Sequence, residues 1–151
     1  MKIINLGEKN SLLNRYIAEI RDVVIQKESM RFRRNLERIG EIFAYEISKT
    51  LTYFPKEVET PLGIANCNLS NDKIVLSTIL RAGLPLHQGL LNYFDKAENS
   101  FIAAYRKYGK DNKFSIQLEY ASTPSVENKI VIISDPMLAT GASAVLAYDR
   151  L

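Results

Sequence analysis

One cysteine and one histidine are all that the 151 residues contain of the side chains most used for disulfides and metal clusters. Cys67 cannot form an internal disulfide or a cysteine-based metal cluster, and His87 is the lone imidazole available to help it. A reduced, cytoplasmic setting fits that usage. Charge of one sign is also scarce, because 20 Lys and Arg against 17 acids leave a net +3, spread along the sequence. Such a balance announces no polyanion-binding surface, so no nucleic-acid partner is expected. The tyrosines are scattered rather than interleaved with a basic cluster, and the paired carboxylates of a glycosidase are not evident. Nowhere do about 18 uncharged apolar residues run together, and the opening MKIINLGEKN has no apolar core of a signal peptide. We therefore expect neither secretion nor a membrane partner, and a soluble chain. Internal repeats at a period of about 20 to 50 residues are lacking as well.

What is present is a 46% hydrophobic composition, sufficient at this length for one domain burying roughly two-thirds of its unfolded surface. Residues 1–70 read as a helical and extended arm. Leu12, Leu13, Tyr16, Ile17 and Ile20 have helical spacing over Ser11–Asp22, and Phe32, Leu36, Ile39, Phe43 and Ile47 form one stripe over Ser29–Leu51. Ser29 suits a cap for the second helix, and Tyr53-Phe54-Pro55 closes it, since a residue before proline is pushed out of the helical region. Arg31, Arg33, Arg34 and Arg38 read as a solvated helix face. Short extended pieces follow at Lys56–Thr60 and Gly63–Leu69, divided by Pro61.

Residues 71–151 read as a core. The β-branched run Ile74–Leu80 is a buried strand, Leu84–Phe94 a helix, and Ser100–Arg106 and Phe114–Tyr120 further strands joined by a polar loop at Lys107–Lys113. Lys129–Ser134 is a second core strand, and a helix begins near Ala144. Strand, turn and helix recur, which predicts an α/β sheet with parallel central strands flanked by helices. The closing AVLAYDRL has no glycine cap and no following strand, so the last element is expected to be incomplete. His87 and Cys67 are assigned no role beyond packing.

The most informative string is Ile132-Ile133-Ser134-Asp135-Pro136-Met137-Leu138-Ala139-Thr140-Gly141-Ala142-Ser143. An apolar strand delivers an acid at its end, and a turn of small and hydroxylated residues leads into a helix N-terminus. Backbone N–H groups of residues 140–143 can point at one anion, Thr140 and Ser143 add hydroxyl donors, and Gly141 permits close approach. Asp135 can accept from sugar hydroxyls. An acid beside an anion cradle suits a ligand carrying both hydroxyls and phosphate, as a ribose phosphate does. No Gly-Lys-Ser/Thr follows the glycine, so the Walker pattern is absent.

DPMLATGAS resembles the PRPP-binding loop of uracil phosphoribosyltransferases, written DPMLATGGS in that family, with Ala142 the difference. Other type I phosphoribosyltransferases usually carry two adjacent acids here, and Pro136 points to the uracil branch. Upstream, Ser77-Thr78-Ile79-Leu80-Arg81-Ala82-Gly83-Leu84-Pro85 resembles the family's LRAG segment, and Tyr105-Arg106 its pair ahead of a mobile hairpin. The helix RFRRNLERIGEIFAYE and the following VETPLG resemble its N-terminal arm. After Tyr105-Arg106 the sequence departs, with Lys107-Tyr108-Gly109-Lys110 in place of Asn-Glu-Glu-Thr.

The resemblance implies a type I phosphoribosyltransferase fold and the reaction of uracil with PRPP to give UMP and pyrophosphate in pyrimidine salvage. It makes Arg81 and Arg106 candidates for the pyrophosphate oxygens, since arginine offers a forked set of donors. Asp135 would hold the ribose hydroxyls, directly or through Mg²⁺, and Ala139–Ser143 the 5′-phosphate, with Pro136, Met137 and Leu138 completing the loop. Mg²⁺ is the implied cofactor, loosely held because the loop has one acid. A homodimer or higher homo-oligomer through the arm is also implied. Family members continue into a Gly-Leu-Gly-Asp-Ala-Gly-like loop that reads uracil, so the uracil-binding residues are unknown and the 151 residues by themselves are expected to bind PRPP with little or no UMP synthesis. Two alternatives stay open: a phosphoribosyltransferase for another base, and a regulatory relative that keeps PRPP binding without turnover.

Overall fold

Alternation of long amphipathic helices with short β-branched runs gives a layered arrangement in the computed structural model. It describes residues 2–108 and 114–151, with side chains at all of these except 104–108 and 114–119. Helix α1 spans Leu12–Arg21 and α2 Ser29–Ser48. Strands β1 (Tyr53–Thr60) and β2 (Gly63–Ser70) form a hairpin, and β3 (Ile74–Leu80), α3 (Leu84–Leu91), β4 (Glu98–Tyr108), β5 (Phe114–Ser122), β6 (Ile130–Ser134) and α4 (Ala142–Tyr148) follow.

The four-stranded sheet has the order β5-β4-β3-β6. β3 pairs in parallel with both β4 and β6, while β5 returns antiparallel along β4. A strand covered on both faces reads as a continuous apolar run, and Val75 and Leu76 in β3 are fully buried. Each contributes roughly 1.5–3 kcal/mol by leaving water.

α2 and α3 cover this sheet. Leu36 and Ile39 of α2 share one cluster with Leu13 of α1 and Leu86 of α3, and Ala44 packs with Leu76 and Leu90. The two helices meet backbone to backbone. A Cβ at Gly40 would strike the Leu86 carbonyl, and one at Gly89 would strike the Glu37 carbonyl and lie 2.9 Å from the Glu41 nitrogen.

Several expectations need correction. Ser11, the first residue of the expected helix, caps α1, its hydroxyl accepting from the Leu13 N–H at 3.2 Å, but Leu12 points to solvent. Ser29 is the first residue of α2, and Glu28 occupies the cap position without a side-chain bond. Helix α2 ends at Ser48, well before Pro55, which lies inside β1. Proline is tolerated there because a two-stranded ribbon consists of edges, where an N–H can face solvent. The extended pieces around Pro61 are longer than expected and pair with each other from Tyr53↔Ser70 to Thr60↔Gly63. Asp72 ties down the hairpin's base, accepting from the Thr52 N–H at 2.7 Å. Lys107 and Tyr108 belong to β4 rather than to a loop. The rest of that expected loop, 109–113, lies outside the described residues.

The arginine run is not one solvated face. Arg31 donates from Nε and Nη2 to Glu19 of α1 at 3.1 and 2.9 Å, and Asn35, fully buried, donates to the same carboxylate at 2.7 Å. Arg38 donates to the Asn35 side-chain oxygen at 3.1 Å and lies 5.3 Å from the centre of the Tyr16 ring. Arg33 and Arg34 are the exposed members, and Arg34 pairs with Glu37 at 2.6 Å. One carboxylate thus joins α1 to α2.

Donors from Arg31, Asn35 and Arg15 hold the Glu19 carboxyl down to about 2. A carboxyl with a depressed folded pKa stabilises the fold above its unfolded value, and that stabilisation is lost as pH falls toward the folded value. Glu19→Gln is expected to lower the unfolding midpoint at pH 7 and to flatten its decline between about pH 4.5 and 2. Thermal melts across that range check this, and parallel wild-type and mutant curves would contradict it.

Candidate functional site

Parallel pairing fixes which loops become neighbours. The register aligns Thr78 of β3 with Ser134 of β6 and Leu80 of β3 with Ala103 of β4. Arg81 and Asp135 therefore leave the same edge of the sheet from adjacent strands. In open α/β sheets this carboxyl edge, where strand ends diverge, is where ligands bind.

After Ser134 the chain turns sharply. Asp135 folds one carboxylate oxygen back to accept from the Met137 N–H at 3.2 Å. Thr140 accepts from the Ala142 N–H through its hydroxyl at 3.4 Å, and Gly141 takes the left-handed conformation with φ 77°. That φ places the first turn of α4 directly after the loop. By helix geometry, N–H groups of this first turn have no carbonyl partner four residues back. The result is a small hollow of about 40 Å³ lined by Asp135 and residues 137–144. Met137 and Leu138, which are among its lining residues, are largely exposed. Pro136 does not line it, and Ala144, not singled out from sequence, does.

Arg81 stands exposed in the turn between β3 and α3, and among the described residues its guanidinium makes no ion pair or hydrogen bond. Its carbonyl accepts from the Leu84 N–H at 3.3 Å, and the Leu80–Arg81 peptide is cis. Arg106 lies on β4 three residues beyond the last partner of β3, opposite Ile116. Its side chain lies outside those described. The structure therefore brings Arg81 and residues 135–143 to one edge of the sheet.

Beneath that edge lies a group of buried hydroxyls that the sequence reading passed over. The Ser77 hydroxyl donates to Ser100 at 3.2 Å, Ser100 and Thr123 are 2.8 Å apart, and the Ser134 hydroxyl donates to the Ser77 carbonyl at 3.3 Å. Thr78 donates to the Ser134 carbonyl at 3.4 Å. The available signal was two polar residues in the middle of the run IVLSTIL. His87 also packs inside, with Nε2 2.8 Å from the Asn99 side-chain oxygen, and burial holds its pKa below the usual imidazole value. It stays neutral and structural.

Comparison with known proteins now decides the family. A family model described as "Uracil phosphoribosyltransferase" matches residues 8–151. The chain belongs to the uracil phosphoribosyltransferase family. Two strains of Porphyromonas gingivalis have a protein named uracil phosphoribosyltransferase that is 57% identical over all of this chain and 70% of its own length. One from Methanothermobacter thermautotrophicus is 41% identical over 80% of this chain, which spans 56% of that relative. Among solved structures, an Aquifex aeolicus protein superposes with a TM-score of 0.78 at 30% identity, covering 94% of this chain and 66% of its own. A hypoxanthine phosphoribosyltransferase from Staphylococcus aureus has a TM-score of 0.50 at 16% identity, over 78% of this chain and 55% of its own, a likeness of fold alone. The mixed α/β sheet of mostly parallel strands is thus that of phosphoribosyltransferases. In this uracil phosphoribosyltransferase relative, the DPMLATGAS string is the loop that leaves β6.

Gly141 gives the loop a local test. A side chain at φ 77° costs about 1–2 kcal/mol, although a Cβ there would meet only Leu138 at 3.9 Å. Gly141→Ala is expected to lower stability by about 1 kcal/mol in denaturant melts. An unchanged midpoint would mean that the loop relaxes out of the left-handed conformation.

Proposed function

We propose that this chain carries the PRPP site of an enzyme that joins uracil to PRPP, giving UMP and pyrophosphate in pyrimidine salvage. The observation that carries the reading is the β3–β6 register, which sets the arginine turn and the DPMLATGAS loop side by side. A 5′-phosphate is assigned to the turn of Ala139, Thr140, Gly141, Ala142 and Ser143, since backbone N–H groups at a helix start favour an anion. Asp135, one residue beyond the strand, accepts from the ribose hydroxyls. Its second carboxylate oxygen is left for this while the first holds the Met137 N–H.

In the reaction the bond from ribose C1 to pyrophosphate breaks, and a bond from C1 to a uracil nitrogen forms as that nitrogen loses its proton. Charge grows on the departing pyrophosphate. Arg81, exposed and without a protein partner among the described residues, is assigned to those oxygens, with Arg106 as the second cation. A preorganised donor of this kind contributes a few kcal/mol to the barrier. Mg²⁺ fits the residues present only as a passenger on the pyrophosphate, because Asp135 stands alone, and no cluster of three acidic, histidine or cysteine side chains exists among the described residues. Bound there it would neutralise phosphate charge, and Asp135 would reach it through water. No residue of this chain is assigned to the uracil ring.

A homodimer or higher homo-oligomer assembled through the arm belongs to the same reading. The β1–β2 hairpin exposes Tyr53, Phe54, Leu62, Ile64 and Leu69, apolar surface of the kind that marks contact with another chain. The single cysteine supports a cytoplasmic setting, and among the described residues no helix is long and apolar enough to cross a membrane.

Arg81→Ala and Asp135→Asn test the assignment. Calorimetric titration with PRPP and Mg²⁺ should give saturable binding by the wild-type chain, weakened at least about tenfold in each variant, with thermal midpoints little changed. Wild-type titrations without heat would overturn the reading. Unchanged affinity in one variant would remove that residue from the site.

A further inference from the structure

The turn that carries Arg81 is seated on the strand that carries Asp135, and the seat has no room for a side chain. Gly83 closes this turn with φ −71° and ψ −15°, a conformation open to any residue. Gly83 is buried against protein. A Cβ there would strike the Thr78 hydroxyl and would lie 2.8 Å from the Ile79 carbonyl and 2.9 Å from the Ser134 carbonyl. Contacts that close essentially do not occur, so a larger residue must move the turn.

Thr78 is the other half of the seat. It is fully buried in β3, directly across the parallel ladder from Ser134. Its hydroxyl and the Ser134 carbonyl that immediately precedes Asp135 lie 3.4 Å apart, and both border the space that a side chain at Gly83 would enter. The Ser134 hydroxyl completes the fit by donating to the Ser77 carbonyl. The Gly83 N–H donates to the Ile79 carbonyl at 3.1 Å, and the Gly83 carbonyl accepts from the His87 N–H at 2.9 Å, so the turn is held at both ends. Movement of Gly83 would therefore displace Arg81, two residues earlier, relative to Asp135.

We propose that Gly83 and Thr78 are positioning residues, which touch no substrate and set the spacing between the pyrophosphate half and the ribose-phosphate half of the PRPP site. This deepens the proposed function and rests on it. A displacement near 1 Å between groups that grip one ligand is enough to cost up to about 100-fold.

The test is PRPP affinity by calorimetry, with thermal unfolding in the absence of PRPP measured on the same samples. Gly83→Ala is expected to weaken PRPP by about tenfold or more. Thr78→Val, which keeps the branched shape and loses the hydroxyl, is expected to weaken it by about tenfold, whereas Thr78→Ser stays within about threefold of wild type. Adding Thr78→Ala to Gly83→Ala removes the worst clash and should restore part of the lost affinity. If Gly83→Ala does not fold, the contrast between Thr78→Val and Thr78→Ser decides. Wild-type affinity in Gly83→Ala or Thr78→Val, equal losses in Thr78→Val and Thr78→Ser, or losses that follow the thermal midpoint would overturn the proposal. A wild-type chain without PRPP affinity would take down both this proposal and the function it rests on.

Discussion

Parallel pairing of β3 with a strand on each side is the constraint on which the rest of the structure depends. A parallel ladder cannot be closed by a tight turn, so neighbouring parallel strands need a longer connection between them, and all parallel strands end at the same edge. Because Thr78 sits opposite Ser134, the chain places its arginine turn and its acidic loop at one level without needing any contact between Arg81 and Asp135 themselves. The helices serve that geometry from behind. α2 and α3 approach so closely, through Gly40 and Gly89, that the start of α3, and with it the end of the arginine turn, has little freedom.

Burial of polar groups along the same ladder is consistent with this account. Ser77, Thr78, Ser100 and Ser134 are all essentially inaccessible, and hydroxyls inside an apolar sheet are costly unless they are hydrogen-bonded. Here each finds a partner, and those partners belong to neighbouring strands. A core built of valine and isoleucine alone would bury more apolar area. It would not lock strand ends to each other at the edge where charged loops must be aligned.

Sequence patterning made much of this legible. The β-branched run Ile74–Leu80 coincides with β3, because a strand buried on both faces has no alternative pattern to display. The loop after β6 was legible because Gly141 and its hydroxylated neighbours answer a local demand, a left-handed turn into a helix. Features set by tertiary partners were harder to read. Glu28 displaced Ser29 as the cap position of α2, and Pro55 fell within β1 because an edge strand has no need of its N–H. The arginine run looked solvated in one dimension, since nothing in its spacing reveals that Glu19 of another helix lies across from Arg31. Nothing in the sequence around Gly83 reveals that Thr78 and two carbonyls fill the space where its side chain would be.

The central claim is that two loops from adjacent parallel strands grip one phosphoribosyl ligand. Amide hydrogen exchange in the presence and absence of PRPP and Mg²⁺, read at residues 81–84 and 137–144, tests it most directly. The account predicts that both segments gain protection together and at the same PRPP concentration, while the β1–β2 hairpin is unchanged. Protection of residues 137–144 alone, with the 81–84 turn exchanging as in the free protein, would contradict it.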